Sequence, residues 1–286
     1  MEQRDDGQRQ REREYRRQKR KLRRRRVLFA LSAGTVLLGI FFIVLPVSGI
    51  FRKELGQEHP AMGEVPGMIS EFTPRPSPES FVLDAPFLDQ REFYPTGCES
   101  VSAVMALQYF GVEIDTEEFI DGFLTLGNAP YEDETGRLVG CDPRESFPGD
   151  PRTEEGWGCY SPVIERALND LLRDRFVSSP LMAESPENKS LPELCEEYVA
   201  KGIPVILWAT IDMEPPEEFL TFFIEGTDEE FQWIYPLHCL LLTGWNEDGY
   251  FFNDPSAGKN QFYPREETEF AYEGLGRQAL ALVPVD

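Results

Sequence analysis

His238-Cys239-Leu240-Leu241-Leu242-Thr243-Gly244-Trp245-Asn246-Glu247-Asp248-Gly249-Tyr250-Phe251-Phe252-Asn253-Asp254-Pro255 reads as two strands joined by a tight turn. Leucine-rich and aromatic runs bounded by Gly, Asn, Asp and Pro are strand signals, and Asn246 to Gly249 supplies the turn. Alternation places His238, Leu240 and Leu242 on one face and Cys239, Leu241 and Thr243 on the other. The hairpin returns Asp254 to the side of His238. A carboxylate there can accept a proton from one imidazole nitrogen and leave the other for proton transfer. Each piece alone has a plainer reading: a histidine satisfied in the core, and a simple Asn-Asp-Pro turn.

Working outward, Ile203 to Ile211 and about Gln278 to Val285 read as further strands. Upstream the period is helical. Helices are expected from Cys98 to Phe110 with Gly111 after it, and near Thr116 to Phe123 behind Asp115 and Glu118. Two more follow, one from Ser161-Pro162 to about Arg173 with Ser161 as N-cap, and one from Ser190 with Glu193 to Gly202. Leu126 to Tyr160 reads as loop. Helices first and antiparallel strands afterwards make an α+β fold.

The helix at Cys98 follows Tyr94-Pro95-Thr96-Gly97. Unpaired N–H groups and the dipole at a helix start favour a thiolate, the nucleophilic form of cysteine, and Gly97 would let a substrate backbone approach. A small buried apolar cysteine is the alternative. The chain has two histidines, and His59 lies in a Pro-rich stretch far from any expected core, so His238 is the imidazole candidate for a general base.

The formal charge of -23 hides two regions: residues 1–26 carry 13 Lys+Arg against 5 Asp+Glu, leaving 15 against 46 for the rest. So acidic a body excludes nucleic acid as its partner and suits a basic peptide. Residues 27–51, VLFALSAGTVLLGIFFIVLPVSGIF, carry no charge and are long enough to cross a bilayer. The basic run Lys19 to Arg26 before them predicts a cytoplasmic N-terminus and an extracellular body. A cleaved signal peptide has a shorter apolar region ending in small residues, which this span lacks. The expected organisation is a basic tail (1–26), a transmembrane anchor (27–51), a Pro-rich stalk (52–80) and one catalytic-size domain (81–286).

Gln90, the Tyr-Pro-Thr-Gly-Cys-Glu run, the Leu-His-Cys-Leu-Leu-Leu-Thr-Gly strand and the Asn-Asp-Pro turn together resemble cysteine peptidase family 39, the papain-like bacteriocin-processing peptidases, in a stand-alone form. The resemblance spans Phe81 to Asp286. It implies a papain-like fold with Cys98 as nucleophile, His238 as general base and Asp254 orienting the histidine. It also implies that Gln90 stabilises the oxyanion with the backbone N–H of Cys98. The chain departs from transporter-fused members in having no Gly-x-x-x-x-Gly-Lys-Ser/Thr loop, so specificity for double-glycine leaders does not carry over. Acids between Met213 and Glu230 (Glu214, Glu217, Glu218, Glu225, Asp228, Glu229 and Glu230) would suit a basic substrate, or form a solvated face.

Five cysteines with one kept free predict a disulfide, best placed between Cys141 and Cys159, with Cys195 and Cys239 as buried thiols. No metal is expected, since no cysteine pair has zinc-ligand spacing and the domain has one histidine; no cofactor and a monomeric state are expected as well. A catalytically silent peptide- or cell-wall-binding module and a transglutaminase-like acyl transferase are the alternatives to a peptidase.

Overall fold

The computed structural model describes residues 80–176 and 179–285. The expected basic tail and transmembrane span lie outside the described residues, as does the stalk apart from Ser80. Among the described residues no helix is long and apolar enough to cross a membrane.

In chain order the elements are β1 (Ser80–Val82), α1 (Cys98–Tyr109), α2 (Thr116–Phe123), β2 (Leu126–Gly127), β3 (Tyr131–Glu132), β4 (Leu138–Gly140), β5 (Phe147–Pro148), α3 (Ser161–Arg175), β6 (Leu181–Glu184), α4 (Leu191–Glu197), β7 (Val205–Thr210), β8 (Glu217–Ile224), β9 (Glu230–Tyr235), β10 (Leu237–Asn246), β11 (Gly249–Asp254), β12 (Gly258–Pro264), α5 (Arg265–Gly274) and β13 (Ala279–Pro284). The main sheet runs β12-β11-β10-β7-β13-β6, and β1 adds to β10 beyond the end of β7. Every pairing in it is antiparallel.

β10 is buried along almost its whole length. Cys239 and Leu241 pack with Val101, Met105 and Ile164 of α1 and α3, whereas Leu240 and Leu242 pack with Leu191, Leu194 and Tyr272 of α4 and α5. Each fully buried leucine contributes about 1.5–3 kcal/mol, so a strand apolar on both faces requires a helical layer on each. The helices that the sequence places before the strands are therefore divided between the two faces of the sheet. α4 crosses to the far face and α5, a helix not anticipated, joins it there. Its start carries Pro264, Glu266 and Glu267, the usual signals of a helix beginning.

The local signals explain most helix ends. Asp115 accepts from the Glu118 N–H at 2.8 Å, and Ser190 with Glu193 forms a full capping box. Helix α3 differs: Tyr160 is its N-cap, and Ser161 is instead its first residue, donating N–H and Oγ to Gln278 Oε1 at 3.0 and 3.1 Å. A partner from across the fold has replaced a local cap.

The stretch expected to be loop forms a second, four-stranded sheet, β3-β4-β8-β9, with the acidic segment. Val139 and Gly140 pair in parallel with Phe223 and Ile224. Within β10 the register shifts between Leu242 and Gly244, and a Cβ on Gly244 would lie 2.2 Å from Phe81 O. Gly244→Ala must push β1 off the sheet, an overpacking cost of about 1–3 kcal/mol. A lower urea midpoint with unchanged slope checks it.

Candidate active site

The β10–β11 hairpin sets the first half of the site. Asn246 Oδ1 accepts from the N–H groups of Asp248 and Gly249, both at 2.9 Å, closing the turn. Pairing of Leu241 with Asn253 then carries Asp254 to the start of β10. His238 Nε2 meets Asp254 Oδ1 at 2.9 Å, with both side chains buried. The same oxygen accepts from the Ser256 N–H at 2.7 Å and from Ser256 Oγ at 2.9 Å, and Oδ2 accepts from the Tyr263 hydroxyl at 2.6 Å. Burial by itself pushes this carboxyl up. The charge of His238 and the hydrogen bonds from His238, Tyr263 and Ser256 outweigh it and hold Asp254 well below the usual carboxylate range. An ionised carboxylate only accepts, so Nε2 carries a proton and Nδ1 is the nitrogen left to take one.

Cys98 supplies the second half, at the first residue of α1. Its sulfur lies against the backbone of Cys239, the residue after His238, and Ser102 one turn on donates to Cys239 O at 3.3 Å. The start of α1 therefore abuts the start of β10. As the first helical residue, Cys98 has an N–H with no carbonyl one turn back. The Cys98 thiol donates to Glu99 Oε2 at 3.3 Å, and no hydrogen bond joins Cys98 to His238 among the described residues. Burial, followed by the Glu99 charge, pushes the thiol well above its usual range, against the Cys239 N–H. Desolvation and the adjacent carboxylate thus oppose the helix start, which favours the thiolate. Gly97 is also closely packed within the chain, since a Cβ there would meet the side chains of Tyr94 at 3.0 Å and Pro151 at 3.1 Å. The glycine admits the protein's own turn.

Gln90 is buried. Its Nε2 donates to Pro95 O at 3.3 Å in the turn before Cys98, while Oε1 has no partner. The amide holds two hydrogens, so one remains for another acceptor. Its backbone N–H donates to Pro255 O at 3.0 Å, and Asn253 Nδ2 donates to Pro86 O at 2.8 Å. These bonds fasten the segment leading to Cys98 onto the turn that holds Asp254.

The sequence alone assigns no role to Ser256 and Tyr263, and it shows Asn253 and Glu99 only as neighbours of Asp254 and Cys98. Tyr263 sits on β12, whose polar, half-exposed pattern hides a strand; only its Gln261-Phe262-Tyr263 alternation could have signalled it. All five cysteines are free, which corrects the Cys141–Cys159 disulfide. The Cys159 backbone is held between Glu99 Oε1 and Trp208 Nε1, at 2.8 and 2.7 Å, and the region needs no bridge because Trp157, Tyr160 and Trp233 pack it. Three of the acids expected to suit a basic substrate pair at the surface within the chain: Glu225 with Asn128, Asp228 with Arg137 and Glu229 with Arg144.

Tyr263→Phe removes one donor from Asp254 and is expected to cost about 1–3 kcal/mol. A carboxyl depressed in the folded state contributes stability above its unfolded value of about 3.9 and loses it as pH falls through the lower folded value. The penalty is therefore full at pH 7 and shrinks in acid, as urea denaturation across pH will read.

Residues 82–280 match the Peptidase C39 like family. The uncharacterized protein YvpB of Bacillus subtilis (strain 168) is 26% identical over 186 residues, 65% of this chain and 68% of that protein. The crystal structure of a Bacillus anthracis protein assigned as a C39-like peptidase is similar with a TM-score of 0.62 and 26% identity, covering 73% of this chain and 99% of that one. The α+β fold is shared with that structure, and with the family match running through the buried His238–Asp254 pair and the cysteine at the start of α1, this chain belongs to the Peptidase C39 like family.

Proposed function

We propose that the protein is a membrane-anchored, extracytoplasmic cysteine peptidase that cleaves peptide bonds with Cys98, His238 and Asp254. The observation that carries this reading is the buried His238–Asp254 pair at 2.9 Å, aligned at the strand end against which the Cys98 helix begins. Family membership, and the assignment of the B. anthracis neighbour as a peptidase, support it.

His238 Nδ1 takes the thiol proton and the sulfur attacks the scissile carbonyl, forming a C–S bond and an oxyanion. The Cys98 N–H and the remaining Gln90 N–H donate to that oxygen. Collapse breaks the C–N bond, and His238 returns the proton to the leaving amine. A water then attacks the thioester, giving a proton to His238; the C–S bond breaks, the acid leaves, and His238 returns the proton to the sulfur. Asp254 keeps the proton on Nε2 throughout. The uncharged run 27–51 anchors the chain with its N-terminus in the cytoplasm, and the acids left without internal pairs favour basic peptides.

The test is hydrolysis of a basic peptide library by the full chain in detergent, read by mass spectrometry. Cys98→Ala and His238→Ala should each lower kcat/KM by at least about 10³-fold, and Gln90→Ala by about 10²–10³-fold. Peptides bound but uncut by the wild-type chain would turn the reading to a binding module; products joined to an added amine would turn it to an acyl transferase.

A further inference from the structure

Glu99 is a wholly buried carboxyl for which the reaction above has no use. Oε1 accepts from the Cys159 N–H at 2.8 Å and Oε2 from the Cys98 thiol at 3.3 Å. It is held in place from behind. Gly158, at φ +108°, leaves the space the carboxylate fills, since a Cβ there would come within 2.7 Å of Oε1. The Cys159 carbonyl is in turn fixed by Trp208 Nε1 at 2.7 Å. The titratable groups facing Glu99 are Cys98 on α1, Cys159 in the segment before α3, and Cys239 and His238 on β10. Its other donors are fixed backbone N–H groups, those of Cys159 and of Glu99 itself, whereas the thiol swings about a single bond between staggered positions.

A thiol can donate to a carboxylate but a thiolate cannot. Ionising Cys98 beside a charged Glu99 both loses that hydrogen bond and sets two negative charges together without water to screen them. Burial pushes the Glu99 carboxyl up, so the pair titrates as a coupled unit. We propose that Glu99 is a positioning residue for Cys98: as a carboxylate it takes the thiol's hydrogen bond, keeps the sulfur protonated and withholds it from His238, and loss of its charge releases the sulfur to pair with His238. This rests on Cys98 being the nucleophile.

The experiment is alkylation of the full chain by iodoacetamide from pH 5 to 10. The Cys98 thiolate displaces iodide, and the Cys98 peptide is quantified by mass so that the four other thiols do not interfere. In the wild-type chain the rate should rise only above the free-cysteine value of about 8.5. Glu99→Gln keeps the volume and the acceptor for the Cys159 N–H while removing the charge. It should move the midpoint down by about one unit and speed alkylation at pH 7 about tenfold. A Glu99 that only braces the Cys159 segment would give a lower melting temperature with an unmoved midpoint, which overturns the proposal. If the variant does not fold, a wild-type midpoint below that of free cysteine overturns it as well. Peptide hydrolysis separates the two claims: activity surviving Cys98→Ala removes the nucleophile itself, whereas activity lost in Cys98→Ala and His238→Ala with no midpoint shift in Glu99→Gln removes only the role of Glu99.

Discussion

Burial of β10 on both faces is the constraint from which the rest follows. A strand that reads Leu-His-Cys-Leu-Leu-Leu-Thr-Gly-Trp has no face to turn to water. Helices α1 and α3 cover the side of Cys239 and Leu241, and α4 and α5 cover the side of Leu240 and Leu242. Both candidate catalytic groups take their places from this strand. His238 sits at its beginning, where the sheet gives out, and Cys98 reaches the same point because α1 packs along the strand through Ser102 and Cys239.

Two buried carboxyls then divide the electrostatics between them. Asp254 is surrounded by donors, His238, Ser256 and Tyr263, and stays ionised despite desolvation. Glu99 has fewer, and one of them is the thiol itself, so desolvation dominates there. The first carboxylate organises the imidazole; the second acts on the sulfur in the opposite sense to the helix dipole. With no solvent to screen it, that carboxylate opposes the fraction of a charge that a helix start provides.

The second sheet shows how an acidic chain is kept together. β4 and β8 come from distant stretches and pair in parallel, with Arg137 lying over Phe223 at 4.0 Å and bonded to Asp228. Arg144 bridges Asp142 and Glu229. Such exposed pairs are each worth only about 0–1 kcal/mol. The aromatic cluster of Trp157, Tyr160, Phe231 and Trp233 beneath them does more of the holding, and it is what fixes the segment that presents Cys159 to Glu99.

By itself the sequence determined what depends on neighbours along the chain. The helix at Cys98, the Asp115 and Ser190 caps, the strand at His238 and the turn at Asn246 to Gly249 are local, and the turn alone dictated that Asp254 meets His238. Tertiary structure decided whatever depends on contacts between distant residues. Helix α5 buries Thr268, Ala271 and Tyr272 against the far face of β10, and strand β12, largely polar, is held by its pairing with β11. Ser161 gave up its cap because Gln278 arrives from the other end of the domain. Cys141 and Cys159 are unbridged, and aromatic packing holds their segment. The protonation of Cys98 was beyond any local rule, because the helix start that favours its charge is visible in the sequence while the depth of burial that opposes it is a property of the assembled core.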